Sequence, residues 1–232
     1  MPSAASPPEL KAVSPFATVA SVSETPYTRE QGYAERYRDR RFASGSGAGT
    51  DRRERAVLRA LLATARRRGL LVDGPWLDAP SGAGRMSGEL PGPAVLVDRD
   101  TAMVAAAGPA RPRACASVHA LPFADRTFAG VLCHRLLQHI PSDGERRAIL
   151  GELARVSRGV VIVSFFDACS LQSLRRAVRR WTGKTRSGRS AAFRGALFAA
   201  CRAAGLEPIE ARALRRFLGE QTLVLCASRG AP

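Results

Sequence analysis

The sequence predicts an open α/β sheet with helices on both faces, and three observations lead there. First, the apolar run Trp76-Leu77 ends in the acid Asp78, and a tight turn containing Gly82 and Gly84 follows. Second, another apolar run, Ala94 to Val97, also ends in an acid, Asp98. Third, short apolar runs alternate along the chain with stretches of helical periodicity, the pattern of a largely parallel sheet with crossover helices.

Residues 1–26 are rich in Pro, Ser and Ala without periodicity, which predicts a disordered tail. Residues 27–232 read as one domain. Its first segment, 27–50, carries Tyr33, Tyr37 and Phe42 among Arg and Glu and ends in a flexible Gly45–Gly49 loop. Thr50 is placed to cap a helix over 51–68, where Val57, Leu58, Leu61, Leu62 and Ala65 form one apolar stripe. Strands are expected at 75–79 and 94–98, with a helix between them, and a short helix starts at Thr101. Further strands fall near 114–118 and 128–134. Asp143 to Ser157 reads as a helix with Ile149, Leu150, Leu153 and Val156 inward. Val160–Phe166 has the β-branched and aromatic content of a buried central strand. A helix over 190–204 ends at Gly205, and two final runs occupy 206–213 and 220–228.

A strand, a glycine turn, and a second strand ending in an acid form an arrangement suited to a nucleoside. The glycines let backbone approach the ligand, and the second acid accepts ribose hydroxyls. Ser87 stands where a dinucleotide fingerprint needs a third small residue, and no Gly-Lys-Ser/Thr follows, so little here asks for a pyrophosphate.

At this point the chain resembles the class I S-adenosylmethionine-dependent methyltransferases, in the broad branch that includes quinone-biosynthesis enzymes. Asp78 to Gly84 resembles the family's Asp-x-Gly-x-Gly-x-Gly turn, and Asp98 with Met103 its ribose acid and following helix. Ala120-Leu121-Pro122-Phe123 with Phe128 resembles its Leu-Pro-Phe…Phe-Asp segment. Gln138-His139-Ile140 resembles the His-hydrophobic pair after its fourth strand, and Glu152 to Gly159 the helix end before its fifth. The resemblance implies a three-layer sandwich around a seven-stranded, mostly parallel sheet closed by an antiparallel C-terminal hairpin. It also implies S-adenosyl-L-methionine as cofactor. The implied cofactor site comprises Asp78, Pro80, Gly82, Gly84, Asp98, Arg99, Met103, Ser117, Val118 and Cys133, with Tyr37 from the segment that closes over it. Three positions depart from the pattern: Pro80 replaces a glycine, Ser117 stands where an Asp often meets the adenine, and Ala129 replaces the Asp after Phe128. These departures keep open a non-catalytic relative acting as a binding or scaffold protein.

The net charge is +16, and only Lys11 and Lys184 among the 36 basic residues are lysines. Such a surface attracts nucleic acid, acidic headgroups or phosphorylated molecules. No apolar run approaches the ~20 residues of a membrane span, and no signal-peptide pattern opens the chain, so a cytoplasmic location is expected. The five cysteines show no metal-ligand spacing; reduced thiols and no metal are expected.

A hydroxyl or carbon acid needs a base to accept methyl, and histidine suits that near neutrality. His139 and His134 are the candidates, with alignment alone as the alternative. His119 reads as an ordinary loop residue. No Asn/Asp-Pro-Pro-aromatic motif follows strand four, where the chain reads Cys133-His134-Arg135-Leu136-Leu137. This favours an oxygen or carbon acceptor on a small, hydrophobic or membrane-associated molecule over an RNA substrate. Within 168–190, an expected variable lid, Leu171, Leu174, Ala177, Val178 and Trp181 share one helical face, while Arg175, Arg176, Arg179 and Arg180 share the other. A surface lid, an interfacial helix on an anionic membrane and, less favoured for want of aromatics, a nucleic-acid contact are the readings. The oligomeric state is left open.

Overall fold

The computed structural model describes residues 45–181 and 188–229. Their elements, in chain order, are α1 (Gly45–Arg67), β1 (Trp76–Asp78), β2 (Ala94–Asp98), α2 (Thr101–Ala106), β3 (Arg113–Cys115), β4 (Phe128–Cys133), α3 (Asp143–Val156), β5 (Ser157–Phe166), α4 (Leu171–Trp181), α5 (Arg194–Ala203), β6 (Leu206–Ala213) and β7 (Gln221–Ser228). One seven-stranded sheet runs in the order β3-β2-β1-β4-β5-β7-β6. Strands β1 to β5 are mutually parallel, and β7 lies antiparallel between β5 and β6. This is the predicted three-layer sandwich with its C-terminal hairpin.

Alternation along the strands builds the two apolar layers. On one face Leu77, Val95, Val97, Val131, Cys133, Val161 and Val163 pack with Ile149, Leu150 and Leu153 of α3 and Leu197 and Cys201 of α5. On the other, Trp76, Leu132, Val160, Ile162, Leu223 and Leu225 pack with Leu58, Leu61, Leu62 and Ala65 of α1. Trp76 explains a glycine in a central strand. Gly130 pairs with it across β1 and β4, and a Cβ there would lie 2.5–2.7 Å from three indole carbons.

Four sequence expectations are corrected. The Gly45–Gly49 segment is not a loop but the first turn of α1, supported by bonds from Thr50 Oγ1 to the Ser46 carbonyl and from Arg53 to the Gly49 carbonyl. Thr50 therefore sits inside the helix and does not cap it. No full helix lies between the glycine turn and β2; a single 3-10 turn, Ser87–Glu89, stands there. Pro91, Gly92 and Pro93 leave no room to propagate one. The space is filled from the side by α1, whose Arg55 and Arg59 pair with Glu89 at 2.8 and 2.5 Å. β5 starts at Ser157, three residues early, because Ser157 pairs with Phe128 across an irregular register. Finally, α5 starts at Arg194, after an extended Phe193, so residues 190–193 are not helical. The expected tail 1–26, and Tyr33, Tyr37 and Phe42 of the expected cap, lie outside the described residues.

Candidate active site

In an open α/β sheet the crevice opens where successive connections leave one strand in opposite directions, at the carboxyl ends of the strands. Here that strand is β1, flanked by β2 and β4. Asp78, Asp98 and the Cys133-His134 pair stand at those ends.

The turn after β1 folds back onto β2. Ala79–Pro80 is a cis peptide, and Gly82 and Gly84 take left-handed φ values of 53° and 72°. At Gly84 a side chain meets a second obstacle, since a Cβ would lie 2.8 Å from Leu96 Cδ2. The Ser81 N–H donates to the Val97 carbonyl at 2.8 Å, extending the β1–β2 junction. The Gly82 N–H donates to Asp98 Oδ2 at 2.8 Å, and Asp98 Oδ1 accepts from the Asp100 N–H at 3.0 Å. Turn and second acid are thus locked together.

Asp78 is buried, and its Oδ2 accepts from Ser87 Oγ at 2.6 Å. Burial pushes Asp78 up to about 7, and the Asp98 charge adds to the rise against the pull of the Ser87 hydrogen bond. Ser87, which fills the position of the missing third small residue, is the support for the first acid.

Met103 packs with Ala83 of the turn and Ala106, which fixes α2 against the glycine loop. Val118 is buried beside the crevice core, whereas Arg99 is exposed. Ser117 pairs with His119 Nδ1 at 3.1 Å, and His119 Nε2 lies 2.9 Å from Glu145 of α3. His119 is thereby a fastener between a loop and a helix. Cys133 is fully buried in the core, and burial raises its thiol well above the ordinary range, with Asp78 adding to the rise.

Beyond β4 the structure reveals a buried ionic hub around Glu54 of α1. Glu54 is fully buried. Its Oε2 accepts from Arg85 at 2.6 Å, and its Oε1 from Arg135 Nε at 2.8 Å. His134 Nε2 lies 3.3 Å from the same Oε1. Burial alone would raise the Glu54 carboxyl, but the His134 contact and the charges of His134, Arg135 and Arg85 hold it at about 2. The distance to His134 is short, yet neither ring nitrogen makes an aligned hydrogen bond, so the contact is a close polar packing of ring on carboxylate. Burial lowers the His134 pKa, with Glu54 opposing, which keeps the ring neutral near pH 7. Arg135 adopts a left-handed φ of 60°, and its N–H donates to Ser164 Oγ of β5 at 2.6 Å. Strain of this kind collects at functional sites. His139 is half-buried on the 3-10 turn Leu137–His139.

Sequence reasoning missed Glu54, Arg85, Arg135 and Ser164. A signal for Glu54 existed: positions 54, 58, 61 and 65 share one helical stripe, and Glu54 is the charge within it.

Residues 77–164, from β1 into β5, match the methyltransferase-domain family model. That span contains the glycine turn, both acids and the end of β4, in register with the geometry above. The chain carries a methyltransferase domain with the sheet order of the class I S-adenosylmethionine-dependent fold. Solved structures agree with the fold of this methyltransferase. The magnesium protoporphyrin IX methyltransferase of Synechocystis PCC 6803, with S-adenosylhomocysteine bound, superposes with a TM-score of 0.68 at 15% identity, covering 87% of this chain and 96% of that one. A protein of Pyrococcus horikoshii gives 0.62 at 16% identity, over 84% and 99%. A methyltransferase of Clostridium acetobutylicum gives 0.59 at 13% identity, over 74% and 91%. No curated protein matches the methyltransferase by sequence.

Proposed function

We propose that the protein moves the methyl group of S-adenosylmethionine to an oxygen or carbon of a small, hydrophobic acceptor. The cofactor supplies an electrophilic methyl on a sulfonium. The chain's own contribution is alignment, exclusion of water and proton removal. Asp98 accepts the ribose hydroxyls, the backbone of Gly82 to Gly84 gives the nucleoside close approach, and Asp78, held by the Ser87 hydroxyl, supports the turn.

One observation carries the acceptor class. The chain after β4 carries no amide motif to position a nitrogen. It carries instead the buried imidazole of His134, held neutral by burial and steadied by Glu54. A neutral imidazole accepts the proton that a hydroxyl or carbon acid must lose. The reading therefore favours His134 over His139 as the base.

The test is incorporation of label from methyl-tritiated S-adenosylmethionine. Purified enzyme incubated with fractionated cell extract is expected to label solvent-extractable small molecules. His134→Asn should lower the rate and shift its pH profile while cofactor affinity holds. Label appearing in RNA or protein would replace the small-molecule reading with a macromolecular one, for which the +16 charge would be the supporting feature.

A further inference from the structure

Helix α4 is mounted the wrong way round for a lid that seals an apolar cavity. Its inward side is polar. Ser173 is buried and donates from Oγ to the Asp167 carbonyl at 2.8 Å, and Ser170 Oγ accepts from the Ser173 N–H at 3.1 Å. Arg176 pairs with the buried Glu220 and lies 4.9 Å over the Phe166 ring. The expected grouping of Arg176 with an outer arginine face is thereby corrected; Arg176 is an anchor. The apolar stripe points outward: Leu174, Val178 and Trp181 are 60%, 51% and 89% exposed.

A second element continues this patch. The Leu171 N–H donates to the Phe217 carbonyl at 2.9 Å, which sets the start of α4 against the β6–β7 turn. That turn exposes Phe217 and Leu218, at 71% and 58%. Six large apolar side chains thus form one exposed surface on two connected elements, more than an isolated solvent-exposed residue needs. Basic residues rim it: Arg175 and Arg179 on α4, Arg215 and Arg216 on the turn, with Arg216 5.1 Å over the Phe217 ring. Neither Leu171–Trp181 nor 213–219 contains an acid. The surface adjoins the carboxyl end of β5, on the same edge as the candidate site.

We propose that this surface, Leu171, Leu174, Val178, Trp181, Phe217 and Leu218 with its arginine rim, docks the protein on an anionic lipid bilayer. Charge selects the occupant. Apolar side chains level with a ring of arginines match acyl chains beneath anionic headgroups, and Trp favours that boundary. A second copy of the chain would bring arginine rim against arginine rim. Among the described residues no helix is long and apolar enough to cross a membrane, so the contact is with the surface. Docking there is independent of which acceptor the enzyme uses, although it would bring a lipid-borne acceptor to the edge where the site opens.

Flotation with phosphatidylcholine vesicles, with and without phosphatidylglycerol, tests this on the full chain. Wild type should float with the anionic vesicles at low salt and lose that association at high salt. Arg175→Gln with Arg216→Gln should weaken partitioning about fivefold per arginine, and Leu174→Ser with Phe217→Ser should remove it. All variants should keep wild-type affinity for S-adenosylhomocysteine and a wild-type melting profile, which shows that they fold. Wild type remaining unbound to anionic vesicles overturns the proposal. So does a self-associated wild type that Leu174→Ser with Phe217→Ser converts to monomer without any vesicle binding. RNA binding lost in the arginine variants, with no lipid binding, overturns it in favour of a nucleic-acid surface.

Discussion

Replacing Glu54 by Gln keeps the side chain's shape and removes the charge from the centre of the hub. Two guanidiniums, Arg85 and Arg135, and the His134 ring then face a neutral amide in a site from which water is excluded. Two routes give the magnitude. Breaking a buried pair by neutralising one partner costs about 3–5 kcal/mol. The depression of Glu54 from 4.5 to about 2 converts, at about 1.36 kcal/mol per unit, to about 3 kcal/mol. The sign follows from linkage. A carboxyl held below its unfolded value contributes stability that is present above pH 4.5 and lost as the pH falls through about 2. Urea unfolding of wild type and Glu54→Gln should therefore differ by about 3–5 kcal/mol at pH 7, and the gap should narrow steadily below pH 4.5. A difference under about 1 kcal/mol at pH 7, or a gap that does not change with acid, would refute the hub as described.

Three further outcomes are expected. Gly130→Ala should destabilise the protein by about 1–3 kcal/mol in thermal unfolding, because its Cβ enters the Trp76 ring; Trp76→Leu in the same chain should recover part of that loss, and additive effects would contradict the contact. Asp78 is raised by burial from 3.8 to about 7, so the stability it contributes is full below pH 3.8 and lost as the pH rises through 7. Asp78→Asn should gain on wild type by up to about 4 kcal/mol across that window, and a parallel pair of stability curves would falsify the assignment. Gly84→Ala, with a left-handed φ and a Cβ 2.8 Å from Leu96, should weaken S-adenosylhomocysteine binding and lower stability by about 1–2 kcal/mol.

The strands were legible because burial on both faces writes itself as short apolar runs. β2 falls on the residues expected; β6, an edge strand buried only in part, does so too, and Gly205 ends α5 through a left-handed φ of 82°. The acids Asp78 and Asp98 and the glycines between them were legible for the same reason that they are needed: a turn that reaches back to β2 demands left-handed residues. What escaped was set by tertiary contacts. Three glycines in Gly45–Gly49 argue for a loop, yet side-chain bonds to the Ser46 and Gly49 carbonyls hold them helical. The crossover after the turn was too rich in Pro and Gly for a helix, and the ion pairs by which α1 replaces it join residues some 30 positions apart. Ser87 looked like a defect in a motif and proved to be the hydrogen-bond donor to Asp78. The periodicity of α4 gave its two faces but not which one would face the sheet; the polar pair Asp167 and Glu220 beneath it decided that.

The central claim is that the Asp98–Gly82 junction holds the nucleoside of S-adenosylmethionine. Calorimetric titration with S-adenosylhomocysteine, on wild type and on Asp98→Ala, tests it most directly. Wild type should bind at one site per chain. Asp98→Ala should bind about 1–3 kcal/mol more weakly, since a charged acceptor and the tie to the Gly82 N–H are both lost. No heat from wild type at millimolar ligand, or equal affinity in the two proteins, would contradict the account.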